Sequence, residues 1–190
     1  MTKDILKLAS TFLHLDDAVE FLSSSESQEP SAEVKNQINQ LIIFTNYIIR
    51  EITKDYFPLY YKETISSDQD GKIYFNKFSK TAIRIKDVKN FLDLSCHYEI
   101  YPEYLKLENA NTEYKIFYSY VPKQIKSIND EAELPFGLDY FIVCYGVACE
   151  FALSCGLYEE SEMWESKFIN SLKSLKNQIG ERRFFARRLK

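Results

Sequence analysis

Apolar residues recur at steps of three and four in the first and last parts of the chain, and this pattern predicts helices. One helix is predicted from about residue 3 to residue 23, and a second from about residue 31 to residue 55. A third is predicted from Pro135 to Cys155, where nearly every side is apolar, with Gly156 as its stop. A fourth is predicted from about residue 159 to residue 179.

Between residues 56 and 121 the period of the pattern falls from helical to two, which indicates strands. In one such run, Ile83 and Ile85 are predicted to point inward and Arg84 outward. A later strand is predicted to carry on one face Tyr114, Ile116, Tyr118 and Tyr120. About six short, mostly antiparallel strands are expected, joined by turns such as the one at Asp70 and Gly71.

Together these elements predict an α+β fold. Two N-terminal and two C-terminal helices are expected to frame a central antiparallel β-rich insertion. The predicted divisions of the chain are residues 1–55 for the N-terminal helices, 56–121 for the insertion, 122–180 for the C-terminal helices and 181–190 for a basic tail.

The formal net charge of −4 conceals two regions of opposite sign. Residues 181–190 carry five basic residues and one acidic residue, a net of +4. Residues 1–180 carry 19 basic and 27 acidic residues, a net of −8. An acidic body with a basic, aromatic tail is therefore the sharpest large-scale feature of the sequence.

Nothing in the sequence predicts a membrane partner. The most apolar segment, residues 138–157, contains Asp139 and Glu150 and is interpreted as a buried helix rather than a membrane span. Residues 1–10 lack the apolar run of a signal peptide. We expect a soluble protein.

The histidine, cysteine and aspartate residues do not occur in patterns typical of catalytic or metal sites. Cys96 and His97 are adjacent, so a strand would send them to opposite faces rather than pair them as nucleophile and base. Asp68 begins a run that resembles the start of a calcium loop but lacks the later ligands, and a hairpin turn fits it better. His14 lies among leucines in the first predicted helix. The sequence predicts no catalysis and no cofactor or metal.

The four cysteines, Cys96, Cys144, Cys149 and Cys155, form no C-x-x-C pair. We interpret them as small buried apolar groups in a reducing cytoplasm.

The tail and the tyrosines are the remaining signals, and each has three interpretations. The tail residues predicted to dock on a partner are Arg182, Arg183, Phe184, Phe185, Arg187, Arg188 and Leu189. The tail would otherwise be a solvated end without function, or a nucleic-acid contact.

The strand tyrosines are interpreted as cross-strand packing, as anchors of a protein interface or as a base-stacking platform. The region from Tyr98 to Val121 is not notably basic, which weakens the base-stacking interpretation.

The last third also has a recognisable order of motifs. An aromatic strand ends in proline and leads to an acidic stretch, a small-residue helix, a second helix and an arginine-rich end. In chain order the motifs are Tyr118–Pro122, Ile128–Glu131, Tyr145–Glu150, Tyr158–Trp164 and Lys167–Phe168. This order resembles bacteriophage head-to-tail connector proteins, the adaptors that bind beneath the portal, and is similar in kind to the tail tubular proteins of short-tailed phages.

The resemblance implies that the four helices form a four-helix bundle bearing the antiparallel β-rich insertion. It also implies a structural virion protein of the neck, assembled in the host cytoplasm as a ring of about twelve copies. It implies two protein partners, the portal and a downstream tail or neck protein, with the basic tail docking on the portal. DNA would pass through the lumen without specific binding, since an acidic wall repels phosphate. The long middle, residues 56–115, departs from the pattern and leaves the role of the strands open.

Two alternatives stay open. One is a nucleic-acid-binding regulator that uses the basic tail. Within the structural class, a stopper or a tail terminator fits the sequence as well as an adaptor does.

Overall fold

The computed structural model describes residues 1–24 and 29–179. The chain divides into two compact units. The helical unit comprises Met1–Ile48, Ile125–Ala132 and Phe136–Lys190, and the β-rich unit comprises Ile49–Gln124 and Glu133–Pro135.

The helical unit begins with two short helices, α1 (Thr2–Phe12) and α2 (Asp16–Ser23), where the sequence predicts one. The break is at His14, whose φ of +55° is left-handed. The amides of His14 and Leu15 donate to the carbonyls of Thr11 and Ser10, which is the hydrogen-bond pattern that closes a helix. A leucine-flanked histidine therefore takes the position that glycine usually occupies.

Three longer helices follow. They are α3 (Ala32–Glu51), which continues into a short π-helical turn at Ile52–Tyr56, α4 (Tyr140–Ser154) and α5 (Tyr158–Ile179). Asp139 caps α4 by accepting a hydrogen bond from the amide of Phe141, so Pro135 lies outside the helix and its predicted first-turn position is wrong. Gly156, with φ of +76°, ends α4 as predicted.

Helix α4 is the centre of this unit. It packs against α1 and α5, and it also meets α3, where Phe44 contacts Phe151 edge-on and Ile48 lies against Gly146. Its side chains are apolar on almost every side because it has neighbours on several sides.

The predicted four-helix bundle is wrong. The described residues form five α-helices and two three-stranded antiparallel sheets, so strands make up a substantial part of the fold. A bundle needs helices that each turn one stripe toward a shared axis. Here the first predicted helix is broken, and α4 occupies the middle rather than one side.

The β-rich unit contains two antiparallel sheets. The first has the strand order β1-β6-β3, formed by β1 (Tyr60–Ser66), β3 (Ala82–Lys89) and β6 (Glu113–Tyr120). The second has the order β2-β5-β4, formed by β2 (Lys72–Tyr74), β4 (Tyr98–Ile100) and β5 (Tyr104–Leu107). Inward side chains of both sheets share one apolar core, which includes Ile73, Val88, Leu105, Ile116 and Tyr118.

Strand β6 has the predicted alternation: Tyr114, Ile116, Tyr118 and Tyr120 are buried. On β3 the prediction is half right, because Ile85 is buried whereas Ile83 is exposed. The pairing of β3 with β6 shifts register between Ala82 and Arg84. This bulge adds a residue to β3 and turns Ile83 away from the core.

The predicted turn at Asp70 and Gly71 is also present. The Asp68 carboxylate accepts hydrogen bonds from the amides of Asp70 and Lys72, and Gly71 has φ of +75°. These hydrogen bonds lower the pKa of Asp68. The carboxylate thus serves the turn itself, as predicted. The hairpin part of the prediction is wrong, because β1 and β2, the strands that the turn joins, pair with β6 and β5 in different sheets.

None of the helices in the described ranges is both long enough and apolar enough to cross a lipid bilayer.

Candidate functional site

The predicted docking residues of the tail lie outside the described residues. They are Arg182, Arg183, Phe184, Phe185, Arg187, Arg188 and Leu189. Their role stays a prediction.

The outward face of the first sheet collects basic side chains from all three of its strands. Strand pairing places its outward residues in three rungs: Tyr60, Ser119 and Arg84; Lys62, Phe117 and Asp87; and Thr64, Lys115 and Lys89. We call this surface the cationic sheet face. Each strand contributes at least one cation, and Phe117 lies at the centre of the middle rung.

Two aromatic rings lie between the cations. The rings of Tyr60 and Phe117 are 5.1 Å apart between centroids and inclined at 30°. Tyr60 keeps 46% of its surface exposed, and Phe117 is half-buried. A half-exposed aromatic pair on a sheet offers a flat apolar surface with open edges.

Shallow depressions lie on either side of this pair. One, of about 190 Å³, is lined by residues that include Lys54, Asp55, Tyr60, Arg84 and Lys86. The other, of about 240 Å³, is lined by Lys62, Asp87, Lys89, Lys115 and Phe117. Lysine side chains thus border both flanks of the aromatic pair.

Carboxylates offset part of this charge. Asp93 accepts a hydrogen bond from Lys115 Nζ at 2.8 Å, and this contact lowers the pKa of Asp93. Asp87 lies 3.7 Å from Lys89 Nζ. Glu113 is the first residue of β6. Lys62 and Arg84 project from exposed positions on the two outer strands.

The two units differ in charge. The β-rich unit contains 12 basic and 12 acidic residues and is neutral. The sequence of the helical unit up to residue 180 contains 7 basic and 15 acidic residues, a net of −8. The acidic excess of the body therefore belongs to the helical unit alone.

A second feature of the β-rich unit is an apolar turn between β3 and β4. Phe91, Leu92 and Leu94 expose 73%, 62% and 59% of their surfaces. Asn90 Oδ1 accepts hydrogen bonds from the amides of Leu92 and Leu94 at 2.9 and 3.1 Å. The backbone of the turn is therefore held in place while three large apolar side chains face outward. We call these residues, 90–94, the apolar turn.

A cavity of about 680 Å³ lies in the same unit, and its walls are both apolar and polar, with Phe75, Phe78, Ile83, Ser79 and Arg84 among them. Within the described ranges, no group of three or more histidine, cysteine, aspartate or glutamate side chains is placed to hold a metal ion.

A polar cluster around Glu63 has a structural role in the β-rich unit. Glu63 accepts hydrogen bonds from the hydroxyl of Tyr118 and from the amide and hydroxyl of Ser79. Burial and the Glu63 carboxylate raise the pKa of Tyr118. The cluster ties the segment before β3 to strands β1 and β6.

The histidines and cysteines lie apart from these surfaces. Cys96 packs against the apolar core while the adjacent His97 is exposed. Both precede β4, so their predicted place in a strand is wrong. Burial raises the pKa of the Cys144 thiol to about 12, as expected of an inert core group. Cys155 is exposed, and for it the prediction of a buried position is wrong.

The cationic sheet face was not predicted from the sequence. The base-stacking interpretation considers the basic character of residues 98–121 alone. That segment does not contain Lys62 on β1 or Arg84 and Lys89 on β3. A usable signal exists in the alternation of these runs, since six of the nine residues in the three rungs are basic or aromatic. Only strand pairing, however, shows that they share one face.

The chain matches no protein-family model and no curated protein.

Proposed function

We propose that this chain is a structural subunit of a phage-type head-to-tail adaptor ring in the virion neck, and that it performs no catalysis. The observation that carries the proposal is the apolar turn. Three large apolar side chains on one short turn are a liability in water unless another protein covers them.

The apolar turn has the properties of a docking element. Asn90 fixes its backbone before any partner arrives, so less conformational entropy is lost on binding. Phe91 and Leu92 are large enough to anchor an interface by filling a pocket. We assign this contact to the downstream tail or neck protein.

The charge of the helical unit supports a position beside DNA. A net charge of −8 repels phosphate, which lets a duplex pass a wall without sticking to it. We propose that this unit faces the lumen of a ring of about twelve copies, with closure through a heterologous contact between neighbours.

The tail supplies the second docking element of the proposal. Arginine side chains form bidentate hydrogen bonds with carboxylates, and Phe184 and Phe185 provide apolar anchors. We assign residues 182–190 to the portal.

Deleting residues 181–190 tests the portal contact. We expect portal binding to be lost while the circular dichroism spectrum and the urea midpoint stay unchanged, because the buried apolar residues of the described chain lie at or before Leu172. Unchanged portal binding would rule out this docking role. A copy number on the portal, measured by native mass spectrometry, that is unrelated to the portal's symmetry would rule out the ring.

Replacing Leu92 with glutamine tests the apolar turn, with Leu153→Gln as the matched control. Both leucines are exposed, but Leu153 lies on α4 in the helical unit. We expect Leu92→Gln to weaken capture of the downstream neck protein by about ten-fold or more, the loss typical of an interface anchor. If the two variants captured the downstream neck protein equally well, the apolar turn would not be part of that interface.

A further inference from the structure

We propose that the cationic sheet face binds single-stranded nucleic acid without regard to sequence. This activity goes beyond the adaptor role, which requires only that DNA pass without specific binding. The proposal rests on the three rungs that strand pairing builds across β1, β6 and β3.

The rungs place charges where a nucleic-acid backbone can meet them. Adjacent strands lie about 4.8 Å apart, and outward residues on one strand recur every ~7 Å. Lys62 and Arg84 therefore stand on the two outer strands, with Phe117 on the strand between them. A strand of nucleic acid laid on this face would have cations on both sides and a ring beneath it.

The aromatic pair decides the class of ligand. An acidic peptide would form ion pairs with the lysines, but its acidic side chains would not stack on two half-exposed aromatic rings. Bases stack on such rings, and stacking tolerates every base because each has a π-face. The rings of Tyr60 and Phe117 contact each other at 5.1 Å between centroids, so bases would stack on the ring faces that this contact leaves open.

The shape of the surface favours a single strand over a duplex. Bases in a duplex are stacked on one another, so their faces cannot reach Tyr60 or Phe117. The side chains that line the flanking depressions, such as Lys54, Lys86 and Lys89, are long enough to follow a flexible backbone. The positive charge would attract both duplex and single-stranded nucleic acid, whereas stacking on the rings would stabilise only the single-stranded form.

The test uses the full chain and a fluorescently labelled 20-residue oligothymidylate, with binding followed by anisotropy across a salt series. We expect Lys62→Glu and Arg84→Glu each to weaken binding about ten-fold, and the neutral variant Lys62→Gln to lower the slope of log affinity against log salt by about 1. Lys77→Glu is the matched control, since Lys77 is an exposed lysine of the same unit outside the face.

The aromatic contribution has its own pair of variants. We expect Tyr60→Ala to weaken binding by roughly 5- to 100-fold, the loss of one stacked base. The control is Tyr47→Ala, which removes an exposed tyrosine from the helical unit. A circular dichroism spectrum and a urea midpoint are recorded for each variant, and Lys62→Gln replaces Lys62→Glu if the latter fails to fold.

Three results would overturn the proposal: equal affinity for Lys62→Glu, Lys77→Glu and the parent; loss of binding only when the four tail arginines are changed to alanine; or equal affinity for a duplex of the same length. The second result would show that the tail binds the nucleic acid, and the third would show that the contact is purely electrostatic. None of them bears on portal binding or on copy number, so the adaptor proposal is tested separately.

Discussion

Asn46 of α3 forms two hydrogen bonds with the backbone of a single residue, Ile125, 79 positions further along the chain. Its Nδ2 donates to the carbonyl of Ile125 at 2.8 Å, and its Oδ1 accepts from the amide of Ile125 at 2.8 Å. Ile125 is almost fully buried. A side chain of α3 thereby satisfies the backbone of the connection that follows β6 within the helical unit.

We expect Asn46→Ala to lower the free energy of unfolding by about 2–4 kcal/mol, because it leaves a buried amide and a buried carbonyl without partners. Urea unfolding monitored by circular dichroism measures the loss. Asn46→Asp is the control, since it keeps the acceptor and removes the donor. A loss below 0.5 kcal/mol for the alanine variant, roughly the value of a surface substitution, would show that water replaces both bonds.

Gly146 of α4 lies against Ile48 of α3. A Cβ at position 146 would come within 2.8 Å of Ile48 Cγ2 and 2.9 Å of Cδ1. Alanine normally stabilises a helix interior relative to glycine by about 1 kcal/mol. Here we expect Gly146→Ala to destabilise by ~1–3 kcal/mol, because the crowding outweighs the propensity.

The double variant Gly146→Ala/Ile48→Ala tests this cause. Removing the crowding side chain should make the pair less destabilising than the sum of the single changes. Thermal unfolding of all four proteins gives the coupling. Additive effects would mean that the loss at position 146 has another origin.

Asn90 determines the order of the apolar turn. We expect Asn90→Ala to speed hydrogen exchange at the amides of Leu92 and Leu94, since both donate to its side chain. Asn90→Asp keeps the acceptor and should keep the protection. If the alanine variant exchanges like the parent, the backbone of the turn is held by other contacts, and pre-organisation does not explain docking.

Glu133 links stability to pH. Burial alone would raise its pKa, but hydrogen bonds from Lys80 Nζ and from the Lys123 amide outweigh burial and hold the pKa below the ordinary value of 4.5. The folded state therefore binds the proton less readily than the unfolded chain. The stability from this carboxylate is present above the unfolded pKa and is lost as pH falls through the folded pKa.

We expect Glu133→Gln to cost about 1 kcal/mol at pH 7, a modest figure because both partners are partly screened by solvent. The difference from the parent should shrink below about pH 4, where the parent carboxylate becomes protonated. Urea titrations at pH 7 and pH 3 measure it. A difference that stays constant between the two values would contradict the linkage.

Local patterns in the sequence were sufficient for the elements whose signals are local. The fourth predicted helix, residues 159–179, corresponds to α5, and the alternating tyrosines of β6 are buried as predicted. Gly156 ends α4 because glycine adopts the left-handed conformation without steric cost. In each case a few neighbouring residues contain the whole physical cause.

The remaining features depend on residues far apart in the chain. His14 adopts a left-handed conformation that its own type does not favour, and the bulge near Ile83 arises from pairing with β6. The bundle prediction was wrong because apolar stripes indicate that helices pack but not which helix lies in the middle. The cationic sheet face exists only because β1 and β3 both pair with β6, bringing Lys62 and Arg84 onto one surface. Periodicity specifies which side of a strand is apolar, whereas pairing across long loops decides which side chains become neighbours.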